Sequence, residues 1–278
     1  MKKYYIQDIQ NFKKSRQHFA TITAYDYTSS LICNNLGFPL LLVGDSASMV
    51  MFGYDNTTPV TMNEMLFVLK AVVRGGNSSL IVADMPFLSY QPSKRDAVHN
   101  AGKFIKAGAN AVKLEGGREI ATKVEALVKS GIPVMGHLGL LPQSINAMSG
   151  YKIQGKTKDE AMVLIDDALL LEKMGVFSLV LEGVPAEVAE IITQRVSVPT
   201  IGIGSGPQCD GQIQVFHDVL GLFNKLVPKH TKKFTNGHKH FSAGLKKYKN
   251  SVEKGSFPGL KNYTKLSSKV LKKLSESS

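Results

Sequence analysis

Five apolar runs in this 278-residue chain end on polar or charged residues. They are LLLVGDS with Asp45 and Ser46, LIVADMP with Asp84, AVKLEGG with Lys113 and Glu115, PVMGHLG with His137, and LVLEGVP with Glu182. Continuous Val/Ile/Leu runs mark parallel strands covered by helices on both faces, and a carboxylate at the end of such a run serves no packing purpose. Where parallel strands close into a barrel, their C-terminal ends surround one mouth, and active sites form there. The pattern reads as an enzyme.

Asp45 and Asp84 are the first candidates for chemistry. Two carboxylates brought together at neighbouring strand ends are costly unless paired or metal-bound. With water and a chelating substrate they suit a hard divalent ion such as Mg²⁺; the alternative is that either Asp caps a helix. Glu115 could bind the ion directly or orient a bound water. No cluster of Cys or His competes, which argues against zinc. Lys113 and Glu115 alternate on one strand and so share a face. There Lys113 could clamp a substrate carboxylate, a role compatible with a Lys113–Glu115 ion pair. His137, flanked by glycines in GHLGL, could donate a hydrogen bond or hold a proton, or serve only as a structural hydrogen-bonder. Glu182 closes an apolar run, VFSLVLEG, where desolvation raises a carboxylate's pKa toward the range useful for taking a proton from carbon. IGIGSG, ending at Gly206, is a weak anion-loop signal, and close backbone packing around a large ligand explains it equally well.

Strands are expected near 19–26, 39–45, 80–84, 110–115, 132–137, 177–182, 198–203 and 212–217, the last interrupted by Gln212 and Gln214. Helix signals fall between them. Thr61 with Glu64, and Thr157 with Glu160, form capping boxes; Ala97, Ala101, Phe104 and Ile105 make an apolar stripe, as do Ile120, Val124, Leu127 and Val128. Pro185 stands where a first helical turn tolerates it. Eight such strand–helix units close a barrel; a doubly wound open sheet is the alternative. Residues 138–156 form an unusually long connection after a strand, read as a pocket wall or lid rather than an ordinary surface excursion.

The net charge of +12 is uneven: residues 225–278 hold 14 Lys against Glu253 and Glu276, whereas residues 1–224 are balanced. The body therefore gives no reason to expect nucleic-acid binding. No apolar stretch approaches the roughly 20 residues that cross a bilayer, and the N-terminus lacks the pattern of a secretory signal. Cys33 and Cys209 fit no metal spacing and read as buried, reduced thiols of a cytosolic protein. Leu266, Val270, Leu271 and Leu274 could share one face of a short helix among lysines. With no aromatic residue or Arg beside them, a solvated tail is favoured over a membrane or nucleic-acid contact.

Across roughly residues 15–260 the chain resembles the ketopantoate hydroxymethyltransferase family. The matching segments include FATITAYDY, LLVGDS, VADMPF, AGANAVKLEGG, GHLGLLPQS, GYKIQG, LVLEGVP, PTIGIGSG and DGQIQVFHD, in order. The resemblance implies a single (βα)8 TIM barrel of the phosphoenolpyruvate mutase/isocitrate lyase type, over residues 1–260; residues 261–278 have no counterpart in the family and read from their composition as a poorly ordered lysine-rich extension. It also implies a cytoplasmic enzyme, usually a homodecamer, acting on small molecules. The implied reaction carries a hydroxymethyl group from 5,10-methylenetetrahydrofolate, the co-substrate, to 3-methyl-2-oxobutanoate, giving 2-dehydropantoate in the first committed step of pantothenate synthesis. Asp45 and Asp84 match its Mg²⁺ ligands, which also contact substrate, and Glu115 completes the metal environment. Ser46 and Lys113 match positions holding the keto-acid carboxylate, His137 a position near the substrate oxygens, and Glu182 the catalytic base. The competing expectation is a Mg²⁺-dependent C–C lyase or mutase on the same barrel. Those enzymes typically carry a cysteine loop such as KKCGH, which this sequence lacks.

Overall fold

The computed structural model describes residues 2–147, 150, 152–223, 228 and 230–276. Eight strands, β1 (Phe19–Thr23), β2 (Leu40–Val43), β3 (Leu80–Asp84), β4 (Ala111–Glu115), β5 (Val134–Gly139), β6 (Ser178–Glu182), β7 (Thr200–Ile203) and β8 (Gly211–Gln214), close into a barrel in sequence order. Every neighbouring pair is parallel, including β1 with β8, where Phe19 stands opposite Gly211. The helices are α1 (Ile6–Lys14), α2 (Tyr27–Asn35), α3 (Ala47–Val50), α4 (Met62–Gly75), α5 (Lys94–Lys106), α6 (Ala121–Lys129), α7 (Lys158–Lys173), α8 (Ala186–Arg195), α9 (Phe216–Val219), α10 (Gly237–Glu253) and α11 (Ser268–Ser275).

Both expected capping boxes form. Thr61 Oγ1 accepts from the Glu64 amide at 3.3 Å while Glu64 Oε2 accepts from the Thr61 amide at 2.8 Å, satisfying donors that the first turn of α4 leaves unpaired. Thr157 and Glu160 repeat the arrangement at α7. Strand residues alternate between two cores. Leu40, Leu42, Val82, Ala111, Val180, Ile201 and Ile213 fill the barrel, while Leu41, Val43, Ile81, Val112 and Leu179 pack against Val68, Leu69, Phe104 and other helix residues. The chain is thus a single barrel, not an open sheet.

Three features depart from, or add to, the sequence expectation. β8 ends at Gln214, not near 217, because the Phe216 amide turns back to donate to Thr23 Oγ1 at 2.9 Å and opens α9. α1, unanticipated, lies under the strand beginnings: Ile9 is fully buried with Phe19, Leu40 and Leu80, and the Phe12 and Phe19 rings stack at 4.8 Å. The long connection extends β5 through Gly139 and then forms a short 3₁₀ turn, Pro142–Ser144. Its far end is tied to the barrel by the Gln154 amide donating to the Gly183 carbonyl at 3.0 Å. Residues 148, 149 and 151 of that connection lie outside the described residues. Beyond the body, α10 buries only Gly237, and α11 buries none of its residues.

Candidate active site

The sequence-predicted residues meet at one end of the barrel. Asp84, Glu115 and Glu182 are the last residues of β3, β4 and β6, Lys113 and His137 lie within β4 and β5, and Asp45 and Ser46 follow β2. Parallel pairing sets Lys113 beside Asp84 and Glu115 beside His137. From this register an unbroken series of contacts runs around the mouth. Asp84 Oδ2 accepts from the Asp45 amide at 3.1 Å. Lys113 Nζ hydrogen-bonds Asp84 Oδ1 and lies 3.9 Å from Glu115 Oε1. His137 Nδ1 stands 3.4 Å from Glu115 Oε1, and its Nε2 3.3 Å from Glu182 Oε2. Neither imidazole nitrogen meets hydrogen-bond geometry, so the attraction there is between charges, and both nitrogens are buried without a hydrogen-bond partner among the described residues. Ser46 Oγ and Tyr25 Oη are hydrogen-bonded at 2.8 Å.

Asp45, Asp84, Lys113, Glu115 and His137 are all buried; the Glu182 side chain is 17 % exposed. Burial strongly shapes their charges. It opposes the charge on Lys113, but Asp84, Glu115 and Asp45 outweigh it and hold the ammonium above the ordinary lysine range. Burial and Lys113 oppose protonation of His137, yet Glu115 and Glu182 prevail and raise it to about 9. Glu115 is buried too, but His137, Lys113 and the Gln143 amide keep it below the usual carboxylate range. Asp45 is driven well above that range by burial and by Asp84 and Glu115. It takes part in no ion pair among the described residues.

This imbalance tests whether a metal suits the site. Four carboxylates converge on two cationic side chains, and Asp45, beside Asp84, is the one without an ion pair among the described residues. The donors are hard oxygens, as Mg²⁺ prefers, and that ion keeps several waters when bound by one or two carboxylates. Among the described residues no group of three or more His, Cys, Asp or Glu side chains is arranged to hold a metal ion. What fits a hard divalent ion is the oxygen chemistry of Asp45 and Asp84, and water and substrate would have to supply the rest of its coordination.

Two residues escaped sequence reasoning. Gln143, in the 3₁₀ turn, donates from Nε2 to Asp45 Oδ2 and to the Met85 carbonyl, both at 2.9 Å, while its backbone amide donates to Glu115 Oε2 at 3.0 Å. Tyr90, fully buried between β3 and α5, has its hydroxyl 3.0 Å from both Gln143 Oε1 and the Glu115 carbonyl. A glutamine in an aperiodic stretch and a lone tyrosine carry no spacing signal.

The IGIGSG loop takes no part in the carboxylate cluster. Ser205 Oγ accepts from the Val184 amide at 3.1 Å and donates to the Leu181 carbonyl at 2.8 Å, bracing the ends of β6 and β7. Gly204 to Gly206 also line a cavity of about 610 Å³ with His18, Phe19 and His230.

The model of the ketopantoate hydroxymethyltransferase family matches residues 3–260. The chain belongs to the ketopantoate hydroxymethyltransferase family. It is 53 % identical over 271 residues to the 3-methyl-2-oxobutanoate hydroxymethyltransferase of Nitrosopumilus maritimus, covering 98 % of this chain and 97 % of that one. The enzyme of the same description from Carboxydothermus hydrogenoformans is 50 % identical over 270 residues, covering 97 % and 98 %. Among solved structures, a phosphonomutase described as putative from Burkholderia cenocepacia superposes with a TM-score of 0.65 at 14 % identity, covering 87 % of this chain and 98 % of that one. 2,3-Dimethylmalate lyase, a PEP mutase/isocitrate lyase superfamily member, gives 0.59 at 13 %, covering 98 % and 99 %. At such identities these neighbours show the fold type alone. The hydroxymethyltransferase relatives are 50 % and 53 % identical against 13 % and 14 % for these neighbours, so a lyase or mutase reading is not favoured for a member of this family.

Proposed function

We propose that this chain transfers a hydroxymethyl group from 5,10-methylenetetrahydrofolate to 3-methyl-2-oxobutanoate, giving 2-dehydropantoate for pantothenate synthesis in the cytoplasm. The observation that carries the residue assignments is the buried chain of contacts Asp45–Asp84–Lys113–Glu115–His137–Glu182 around the mouth, in a protein half identical to relatives of that activity. Asp45 and Asp84 would hold Mg²⁺ beside the substrate, and Glu115 would complete the environment of the ion. When bound, such an ion acts as a Lewis acid on the keto oxygen and so acidifies the neighbouring C–H bond.

The remaining work falls to side chains already in place. Lys113, kept charged by three carboxylates, and the Ser46 hydroxyl receive the keto-acid carboxylate. His137, protonated and with both nitrogens lacking a hydrogen-bond partner, donates toward the substrate oxygens. Glu182, at the open side of the cluster, takes the proton from C3. The carbon so freed attacks the one-carbon unit of the folate; water then completes the hydroxymethyl group as tetrahydrofolate leaves. Self-association as a homodecamer belongs to the same reading. It is supported by an unburied apolar row on α10, where Phe241, Leu245 and Tyr248 are 64 %, 67 % and 58 % exposed.

The test is incubation with both substrates and Mg²⁺, with and without chelator, following 2-dehydropantoate. Product is expected only with the metal, and Asp84→Ala should abolish it. Glu182→Gln should still bind keto acid but no longer exchange its C3 hydrogen with solvent. Deuterium entering C3 in that variant would remove Glu182 as the base, and full turnover in excess chelator would remove the metal.

A further inference from the structure

We propose that Gln143 is a positioning residue that sets Asp45 and Glu115 for the divalent ion, with Tyr90 as the buried peg that fixes it. The inference rests on the reading above, in which Asp45 helps hold the ion. Gln143 is 4 % exposed, and its side-chain amide has its hydrogen-bonding capacity filled. Nε2 spends its two hydrogens on Asp45 Oδ2 and the Met85 carbonyl. Oε1 accepts from Tyr90 Oη at 3.0 Å and from Gln91 Nε2 at 3.2 Å. The orientation of the amide is fixed by these partners: a flip would turn its oxygen onto two acceptors.

The consequence is a bridge between carboxylates of different strands. Asp45 follows β2, Glu115 ends β4, and one residue after β5 grips both, the first through its side chain and the second through its backbone amide. Gln143 occupies Oδ2 of Asp45, which leaves Oδ1 as the oxygen to present to a cation. Tyr90 locks the same unit from beneath, accepting from the Glu115 amide at 3.1 Å while facing the Gln143 carbonyl oxygen. Side chains that orient metal-binding carboxylates typically change affinity or activity by about 10–100-fold when removed. Gln143 stands in that relation to Asp45 although it lies in a connection between strand and helix. Asp45 takes part in no ion pair among the described residues, and the Gln143 amide donates the side-chain hydrogen bond to its carboxylate.

The experiment uses the full-length protein freed of metal and measures Mn²⁺ binding without substrates, by electron paramagnetic resonance, together with thermal unfolding and steady-state kinetics. Wild-type protein should bind Mn²⁺, and Asp84→Asn should abolish that binding. If Asp84→Asn binds as the wild type does, the metal assignment itself fails. Given that control, Gln143→Met, which keeps the length of the side chain but none of its hydrogen bonds, should weaken Mn²⁺ about 10–100-fold. Its kcat should fall as the metal KM rises, a split that loss of folded protein alone would not produce. Wild-type Mn²⁺ affinity in a folded Gln143→Met protein overturns the proposal. Should that variant not fold, Tyr90→Phe, which removes a single oxygen, takes its place: weakened Mn²⁺ binding supports the proposal, and unchanged binding overturns it.

Discussion

A buried lysine ordinarily sheds its proton, yet Lys113 keeps it because Asp84, Glu115 and Asp45 surround the ammonium. Taking these ions out of water is costly, and apolar residues of like volume would often make the barrel no less stable. What the arrangement supplies is charge already oriented toward an arriving keto acid, before any side chain has to reorganise. Asp218 shows burial without such a return. It is buried at α9 with Oδ1 lacking a hydrogen-bond partner among the described residues. Burial, opposed only by Lys233, raises its carboxyl from 3.8 to about 6. Between those values the folded chain retains a proton that the unfolded chain releases, so stability falls as pH rises through that window. Asp218→Asn should therefore stabilise the protein at pH 7 by about 1–2 kcal/mol, the full shift being discounted for partial solvation, and change little at pH 4. Denaturant titrations at the two pH values check this; an equal effect at both would contradict it.

At the scale of elements, the site depends on how strands end. β5 and β6 run side by side until Gly139 faces Glu182, and Gly139 holds a φ of +97°. A methyl group there would intrude on the Glu182 carbonyl and on Val184. Gly139→Ala should cost about 1–3 kcal/mol from backbone strain alone. It should also lower kcat more than a remote substitution of equal thermal cost, because His137 and Glu182 sit on the two displaced strand ends. Thermal unfolding beside kinetics would reveal this, and wild-type kcat in the Ala variant would refute it. The strand ends were legible in the sequence because a carboxylate closing an apolar run stands out against its own element. The capping boxes at Thr61 and Thr157 were legible for a similar reason, since their partners lie three residues away. Gln143 was not, because its partners lie just after β2 and β3 and at the end of β4, and meet only after the barrel closes. α1 was hidden because its few apolar residues, Ile6, Ile9 and Phe12, lie among Gln, Asn and Lys and gain a partner only at the base of the barrel.

For the whole molecule, charge is segregated toward the C-terminal region, which also carries an exposed apolar helix face. The excess lysine lies beyond residue 224, and α10 places Phe241, Leu245, Tyr248 and Val252 on one exposed helical face, where Tyr248 meets the ring of Phe257. If another copy covers that row, the double substitution Phe241→Ser with Leu245→Ser should yield smaller species in sedimentation velocity while far-ultraviolet circular dichroism stays that of the intact barrel. Identical sedimentation of the two proteins would show that the row is not an interface. No helix among the described residues is long and apolar enough to cross a membrane. The pairing of β1 with β8 bears on how copies can meet at all. A ring of strands has no frayed hem, so no stranger's backbone can be stitched onto it. Whatever joins two such molecules must do so through the outward-facing groups of helices and turns, and single amino-acid changes there can tune the join while the ring stays untouched.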